Sequence, residues 1–150
     1  MVVGARRRCQ FSVVLRVVTL NVNGIRSAAG KGLFRWLAAQ KADVVCLQEI
    51  KAQEADLDGA QFSIKDYQRH LHCAQKKGYA GVALYSRPKP RSVVMGFGVR
   101  EFDDEGRFLE ANFGRLSVIS LYLPSGSAGP HRQASKFRFL DKFLHHLKKL

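Results

Sequence analysis

The chain has 150 residues, of which 46% are hydrophobic, and its formal net charge is +13. This composition fits one folded domain rather than a disordered chain, and no apolar run approaches the roughly 20 residues that a membrane-spanning helix needs. The charge favours a polyanionic partner, nucleic acid first and anionic lipid second. The cysteines Cys9, Cys46 and Cys73 show neither a disulfide framework nor zinc-type spacing, which is typical of a reducing, cytoplasmic location.

Residues 1–14 are interpreted as a basic leader outside the main fold. Three consecutive arginines precede apolar residues there, as they do in a signal peptide. Arg16 interrupts the apolar run, however, and no small-residue cleavage site follows it. We therefore expect the folded domain to occupy residues 15–150.

The domain is predicted to be of the α/β class. Stretches that are rich in β-branched residues, or short and continuously apolar, predict strands, and apolar residues spaced by three and four predict helices. In chain order, we expect a strand over residues 15–21, a helix over 31–40, strands over 43–48, 79–86 and 92–99, a hairpin of 107–113 with 116–123, and a helix over 135–150. Residues 53–66 carry turn and helix signals without a clear register.

Two further features concern the second half of the chain. The acidic residues 101–106 are interpreted as a solvated turn. The last predicted helix is amphipathic, with Ser135 as its N-cap. Its apolar stripe consists of Phe137, Leu140, Leu144 and Leu147.

Polar residues lie where the predicted strands end. Asn21 and Asn23 end the first strand, Glu49 follows the second, and Tyr122 is near the end of a later one. Loops at strand ends often bring such groups into one site. An oxygen-only set of Asn, Glu and water suits Mg²⁺, which commonly takes only one or two protein carboxylates. The pattern therefore predicts a magnesium site.

Each of these residues also has a purely structural interpretation. The sequence Asn21-x-Asn23-Gly24 is typical of a turn. Glu49 and Lys51 could form an exposed ion pair that contributes little stability. Tyr122 could be a core tyrosine. Considered singly, the residues leave these alternatives open.

Five stretches taken together resemble one known family. They are NVNGIRS (21–27), LQEIK (47–51), KGYAGVALYSR (77–87), DEGRFLEANF (104–113) and SLYLPSG (120–126). In this order and spacing they resemble the exonuclease III family of apurinic/apyrimidinic (AP) endonucleases, within the endonuclease/exonuclease/phosphatase superfamily. The resemblance runs from about Arg16 to the C-terminus.

The resemblance implies a fold, an activity and a substrate. The fold would be the N-terminal part of a four-layered αββα sandwich of the DNase I-like kind, with two mixed sheets face to face. The activity would be Mg²⁺-dependent hydrolysis of DNA phosphodiesters, with Mn²⁺ as a substitute metal. The partner would be double-stranded DNA with abasic sites or 3′ ends, bound by a monomeric enzyme.

The resemblance also implies roles for individual residues. Asn21 and Glu49 match the metal-binding positions of the family, and Tyr122 matches the catalytic tyrosine that contacts the scissile phosphate. Arg26 and Tyr79 match positions that contact the DNA backbone. The further candidates for phosphate contact or for support of the site are Lys51, Arg87 and Arg107.

The chain departs from the family in one respect. Family members carry a Gly-Asp-x-Asn motif and a terminal Ser-Asp-His motif in their second half, and neither occurs here. Because those motifs handle the nucleophile, we expect an incomplete chain, truncated before the second half and inactive by itself. Two alternatives stay open: a non-catalytic basic half-domain that binds DNA or docks a complementary C-terminal half, and another phosphoesterase of the same superfamily.

Overall fold

The computed structural model describes residues 14–126 and 129–150. The predicted leader, residues 1–14, lies outside the described residues except for Val14, and it stays a prediction. The elements in chain order are β1 (Val17–Asn21), α1 (Ile25–Gly30), α2 (Leu33–Gln40), β2 (Val44–Gln48), two short 3₁₀ helices (Glu54–Leu57 and Ala60–Phe62), β3 (Gln68–His72), β4 (Val82–Ser86), β5 (Ser92–Met95), α3 (Arg100–Asp103), β6 (Phe108–Asn112), β7 (Ser117–Leu121) and α4 (Pro130–Leu147).

The strands form two sheets. The first sheet has the order β1-β2-β4-β3, in which β1 and β2 are parallel and the other neighbours are antiparallel. The second sheet is the antiparallel set β5-β6-β7. The predicted hairpin is confirmed as β6 and β7, and β1 is an edge strand of the first sheet.

The two sheets pack face to face, and β2 is covered on both of its faces. Val44 and Cys46 of β2 belong to a cluster between the sheets, which also contains Leu109 and Ala111 of β6. Val45 and Leu47 belong instead to a cluster that includes residues of α1 and α2. Because successive side chains of a strand point to opposite faces, this double coverage explains why the segment is continuously apolar.

Helix α4 covers the outer face of the second sheet. Phe139 is completely buried and packs against Phe97 and Phe102, with ring centroids 5.3 and 4.8 Å away. Phe143 lies 6.1 Å from the ring of Phe108 in β6. The layers are therefore helix, sheet, sheet and helix, which confirms the predicted αββα architecture.

The prediction for the start of this last helix was wrong. The helix begins at Pro130, with Gly129 as N-cap, and Ser135 lies inside it and donates a hydrogen bond to Glu101 Oε1 at 3.2 Å. The predicted apolar stripe faces solvent, since Phe137 is 59% exposed and Phe139 is 0% exposed. The helix is apolar on two sides, and periodicity alone could not show which side packs on the sheet.

The acidic segment 101–106 is a structured element rather than a solvated turn. Asp103 accepts hydrogen bonds from the backbone N–H groups of Phe97 and Gly98, at 2.9 and 3.0 Å. Glu101 pairs with Arg138 of α4 at 2.6 Å. These contacts fasten the β5–β6 connection to the last helix. None of the helices in residues 14–126 and 129–150 is long and apolar enough to cross a membrane.

Candidate metal and phosphate site

The parallel pairing of β1 and β2 brings the predicted metal-binding residues to one edge of the sheet. Asn21 pairs in register with Gln48, so the two strands end side by side and Glu49 follows directly. Asn21 Nδ2 donates a hydrogen bond to Glu49 Oε1 at 2.7 Å, and Asn21 Oδ1 accepts one from the backbone N–H of Asn23 at 3.0 Å. The structure thus confines the carboxylate within a hydrogen-bonded turn.

The backbone around Glu49 adopts an unusual conformation. Glu49 and Lys51 have φ angles of 53° and 49°, which cost about 1–2 kcal/mol each for residues other than glycine. Ile50, between them, is completely buried and donates its backbone N–H to Gly81 O at 3.2 Å. A Cβ on Gly81 would lie 2.7 Å from Ile50 Cγ1. The buried isoleucine therefore anchors the turn and forces Glu49 outward.

Lys51 places a positive charge against the same carboxylate. Its Nζ lies 3.0 Å from Glu49 Oε2 and 2.5 Å from Asn23 Oδ1. An ammonium group thus bridges two oxygens in this cluster. The oxygen ligands available here fit a hard cation, because they are one ionised carboxylate and neutral amide oxygens.

The pKa of Glu49 shows which influences dominate at the site. Burial raises the pKa, but hydrogen bonds from Asn21, Tyr122 and Lys51, together with the Lys51 charge, outweigh it. The pKa consequently lies below its ordinary value, and the carboxylate is ionised at neutral pH. Among the described residues no cluster of three or more His, Cys, Asp or Glu side chains could hold a metal. A cation here would rely on Glu49, amide oxygens, water and substrate.

Tyr122, just after β7, joins the second sheet to this cluster. Its backbone N–H donates to Arg107 O at 2.9 Å, and its side chain hydrogen-bonds to Glu49. Burial and the bond to the Glu49 carboxylate raise the pKa of Tyr122 to about 12. The phenol is therefore protonated at neutral pH and acts as a donor toward Glu49.

Arg107 is buried beneath the site, which corrects one part of its prediction. Its side chain is only 2% exposed, so it is closed to a phosphate contact from solvent. Nε donates to Glu105 Oε2 at 2.5 Å, and Nη2 donates to Tyr79 OH at 3.1 Å. Of the two predicted roles for Arg107, the structure favours support of the site.

Sequence reasoning missed Arg132, in the first turn of α4. Its Nη1 donates a hydrogen bond to Tyr79 OH at 3.2 Å, so it lies beside a predicted DNA contact. Arg132 is 53 residues from Tyr79 in the chain and precedes the predicted start of the helix. No local pattern marks it, and only the packing of α4 reveals its position.

The two remaining predicted residues, Arg26 and Arg87, lie at different distances from the cluster around Glu49. Arg26 lies in α1 directly after Ile25, and the backbone N–H of Ile25 donates to Ile50 O at 2.9 Å. The guanidinium of Arg26 is over half exposed and lies 3.8 Å from Asp56. Arg87 does not join the cluster, because it follows β4 at the end that pairs with the start of β2. Its guanidinium donates to the backbone oxygen of Lys41 at 2.7 Å. Arg87 thus holds the opposite end of the sheet together, which corrects its predicted place near the site.

Comparisons with known proteins agree with this geometry. The model of the Endonuclease/Exonuclease/phosphatase family matches residues 18–149. The chain is 33% identical over 137 residues to an exodeoxyribonuclease of Bacillus subtilis, covering 91% of this chain and 53% of that protein. It is 28% identical to a DNA-(apurinic or apyrimidinic site) endonuclease of Dictyostelium discoideum, covering 91% and 38%.

The fold has a solved counterpart as well. An AP endonuclease from Archaeoglobus fulgidus superposes with a TM-score of 0.79 at 31% identity, covering 91% of this chain and 52% of that one. These matches confirm the resemblance to exonuclease III-type enzymes and AP endonucleases. The chain spans about half the length, or less, of the relatives it matches.

Proposed function

Because the chain belongs to the Endonuclease/Exonuclease/phosphatase family, we propose that it forms the metal-holding and phosphate-holding half of a DNA-repair nuclease. The reaction is Mg²⁺-dependent hydrolysis of phosphodiesters in duplex DNA, at abasic sites and at 3′ ends. The observation that carries this proposal is the contact between Tyr122 and Glu49, which joins an ionised carboxylate to a cluster of arginines and tyrosines.

Glu49 and Asn21 would hold the metal in this proposal. Mg²⁺, or Mn²⁺ in its place, would polarise the phosphoryl oxygen and stabilise the charge that develops on the leaving group. Tyr122 would redirect its hydrogen bond from Glu49 to the scissile phosphate when substrate binds, since its hydroxyl keeps its proton at neutral pH. Lys51 would balance the negative charge of Glu49 when no metal is bound.

Duplex DNA is proposed as the substrate on the basis of charge. The net charge of +13 suits a polyphosphate, and contacts to the backbone bind DNA with little dependence on sequence. Arg26 and Tyr79 would contact backbone phosphates, joined by Arg132. An abasic nucleotide costs less to displace from the stack than a paired base does. We also propose a cytoplasmic location, consistent with the free thiols of Cys46 and Cys73.

An incision assay tests the proposal. The substrate is a labelled duplex with one tetrahydrofuran abasic analogue, with Mg²⁺ or with EDTA. The 150-residue chain is assayed alone and mixed with the C-terminal half of the Bacillus subtilis exodeoxyribonuclease. We expect Mg²⁺-dependent incision from the mixture only, reduced at least a hundredfold by Glu49→Gln and retained by the exposed control Glu54→Gln. Equal incision by the Glu49→Gln mixture would contradict the proposal.

A second candidate function is docking of a complementary half-domain, which the exposed apolar surface favours. In the edge strand β1, Val17 and Leu20 are 44% and 37% exposed, and in α4 Phe137 and Leu144 are 59% and 51% exposed. A single chain rarely leaves so many large apolar side chains in water on neighbouring turns of a helix. The occupant would be a polypeptide that corresponds to the second half of the relatives.

Matched variants of α4 test this docking function. Leu144→Gln removes an apolar side chain from the exposed stripe, and Lys142→Gln alters an exposed position off the stripe. Light scattering during size-exclusion chromatography should show a 1:1 complex with the Bacillus C-terminal half. We expect Leu144→Gln to weaken this complex and Lys142→Gln to leave it intact. Docking is excluded if no complex forms, and docking through the α4 stripe is excluded if both variants bind as the unaltered chain does.

A further inference from the structure

The guanidinium of Arg107 is buried, and all three of its nitrogens are used. A buried charge is costly unless it is paired and hydrogen-bonded. Nε donates to Glu105 Oε2 at 2.5 Å, Nη1 to the backbone oxygen of Tyr122 at 3.2 Å, and Nη2 to Tyr79 OH at 3.1 Å. One planar group therefore connects two tyrosines and a carboxylate from three separate segments.

The aromatic rings reinforce this arrangement. The guanidinium carbon lies 4.8 Å from the ring centroid of Tyr122 and 5.8 Å from that of Tyr79. Both distances are within the range of cation–π attraction. A lysine could supply the charge but not the planar fork or the stacking surface. The identity of this residue as arginine thus matters for the placement of both rings.

The hydrogen bonds that the Tyr79 hydroxyl accepts determine where its proton can point. It accepts one hydrogen bond from Arg107 and another from Arg132 at 3.2 Å. A hydroxyl oxygen has two lone pairs, so both acceptor positions are filled and only its proton stays available. Lys76 Nζ lies 5.7 Å from the same ring centroid. Three cations surround a phenol that can only donate, which suits an anionic oxygen as its acceptor.

We propose that Arg107 is a positioning residue that orients Tyr79 as a donor to a phosphate oxygen and holds Tyr122 beside Glu49. This inference rests on the proposed nuclease function, since the phosphate would belong to the DNA backbone. Arg107 does not touch the substrate. Removal of its fork would release the Tyr79 hydroxyl from one of its two donors and loosen the loop that carries Tyr122.

The four tyrosines of the chain allow a test that does not require DNA. Tyrosine ring signals are recorded by ¹³C NMR for the 150-residue chain and for Arg107→Lys, with the exposed Arg115→Lys as control. We expect Arg107→Lys to shift the signals of Tyr79 and Tyr122 and to leave Tyr67 and Tyr85 unchanged. If Tyr79 and Tyr122 keep their signals in Arg107→Lys, Arg107 does not position them and the proposal fails.

A binding cycle tests the link to phosphate. Affinity for the tetrahydrofuran duplex is measured by fluorescence anisotropy in Ca²⁺, and inorganic phosphate serves as a second probe in the NMR titration. Arg107→Lys and Tyr79→Phe should each weaken duplex binding about tenfold, and the double variant should be little weaker than either alone. If the losses of affinity of the two single variants multiply in the double variant, Arg107 acts independently of Tyr79 and the inference is overturned.

Two outcomes separate this inference from the function on which it rests. If the unaltered chain binds neither duplex nor phosphate, the proposed function fails, while the tyrosine signals still decide whether Arg107 positions the rings. If Arg107→Lys does not fold, Tyr79→Phe alone decides, because it keeps the ring and removes the hydroxyl. Duplex affinity of Tyr79→Phe equal to that of the unaltered chain would then overturn the inference.

Discussion

Lys51 Nζ lies 3.0 Å from Glu49 Oε2, so the carboxylate that is expected to bind a metal already has a cation beside it. Both residues have positive φ angles, and the completely buried Ile50 lies between them. Backbone strain of this kind is common at functional sites, where surrounding packing maintains it. The conformation of this turn, which the buried Ile50 anchors, therefore holds the two side chains together as an ion pair.

Replacement of this lysine should change the acidity of Glu49. The hydrogen bond and the charge of Lys51 both lower the pKa of Glu49. We expect Lys51→Met to raise that pKa toward its ordinary value, as measured by ¹³C NMR titration of the glutamate carboxyl groups. The exposed Lys65→Met is the matched control, and an unchanged pKa of Glu49 in Lys51→Met would refute the assigned pairing.

The same carboxylate should contribute to stability in a pH-dependent way. The pKa of Glu49 is lowered from an ordinary value of 4.5, so its contribution is fully present above that pH and is lost as the pH falls through the folded-state pKa. We expect the unfolding free energy of Glu49→Gln to depend less on pH below 4.5 than that of the unaltered chain. Urea denaturation at several pH values measures this, and Glu54→Gln should retain the original dependence.

Tyr122 should respond when the charge beside it is removed. Its pKa is raised to about 12 by burial, by the hydrogen bond to Glu49 and by the negative charge of Glu49. Because Glu49→Gln abolishes the charge, we expect the pKa of Tyr122 to fall toward 10. The ring signals of labelled tyrosine report the pKa of Tyr122 directly. A pKa that stays near 12 in Glu49→Gln would show that burial alone raises it.

Two phenylalanines of α4 provide a matched test of the packing. Phe139 is 0% exposed and Phe137 is 59% exposed, although they are two residues apart in one helix. We expect Phe139→Ala to lower the unfolding free energy by about 3–5 kcal/mol, through lost burial and a cavity. Phe137→Ala should change it by less than about 1 kcal/mol. Equal losses in urea denaturation would mean that the exposed stripe also packs on the chain.

Much of the site could be predicted from the sequence because its residues follow strands with clear patterns. Asn21 and Glu49 end the neighbouring parallel strands β1 and β2, and apolar runs mark both strands. Tyr122 likewise follows β7, the second strand of the predicted hairpin. In these cases a local pattern fixed the position of the side chain, and parallel pairing then determined which residues met.

The remaining features depend on packing between distant segments. Arg107 and Arg87 are both basic residues beside strands, yet one is buried under the site and the other lies at the far end of the sheet. Arg132 reaches Tyr79 only because α4 crosses the second sheet. Helix α4 is apolar on two sides, so its periodicity could not choose between Phe137 and Phe139. Sequence patterns identify elements but do not determine how their faces pair.

The most direct test of the metal site uses Mn²⁺ as a paramagnetic probe of the 150-residue chain. Ring signals of the four tyrosines are recorded while Mn²⁺ is added. A metal held by Glu49 and Asn21 should broaden the signal of Tyr122 first and leave Tyr85, which lies between the first sheet and its helices, almost unaffected. Glu49→Gln should abolish this selective broadening and Glu54→Gln should preserve it. If all tyrosines broaden alike, or if Glu49→Gln behaves as the unaltered chain, Glu49 does not hold the metal.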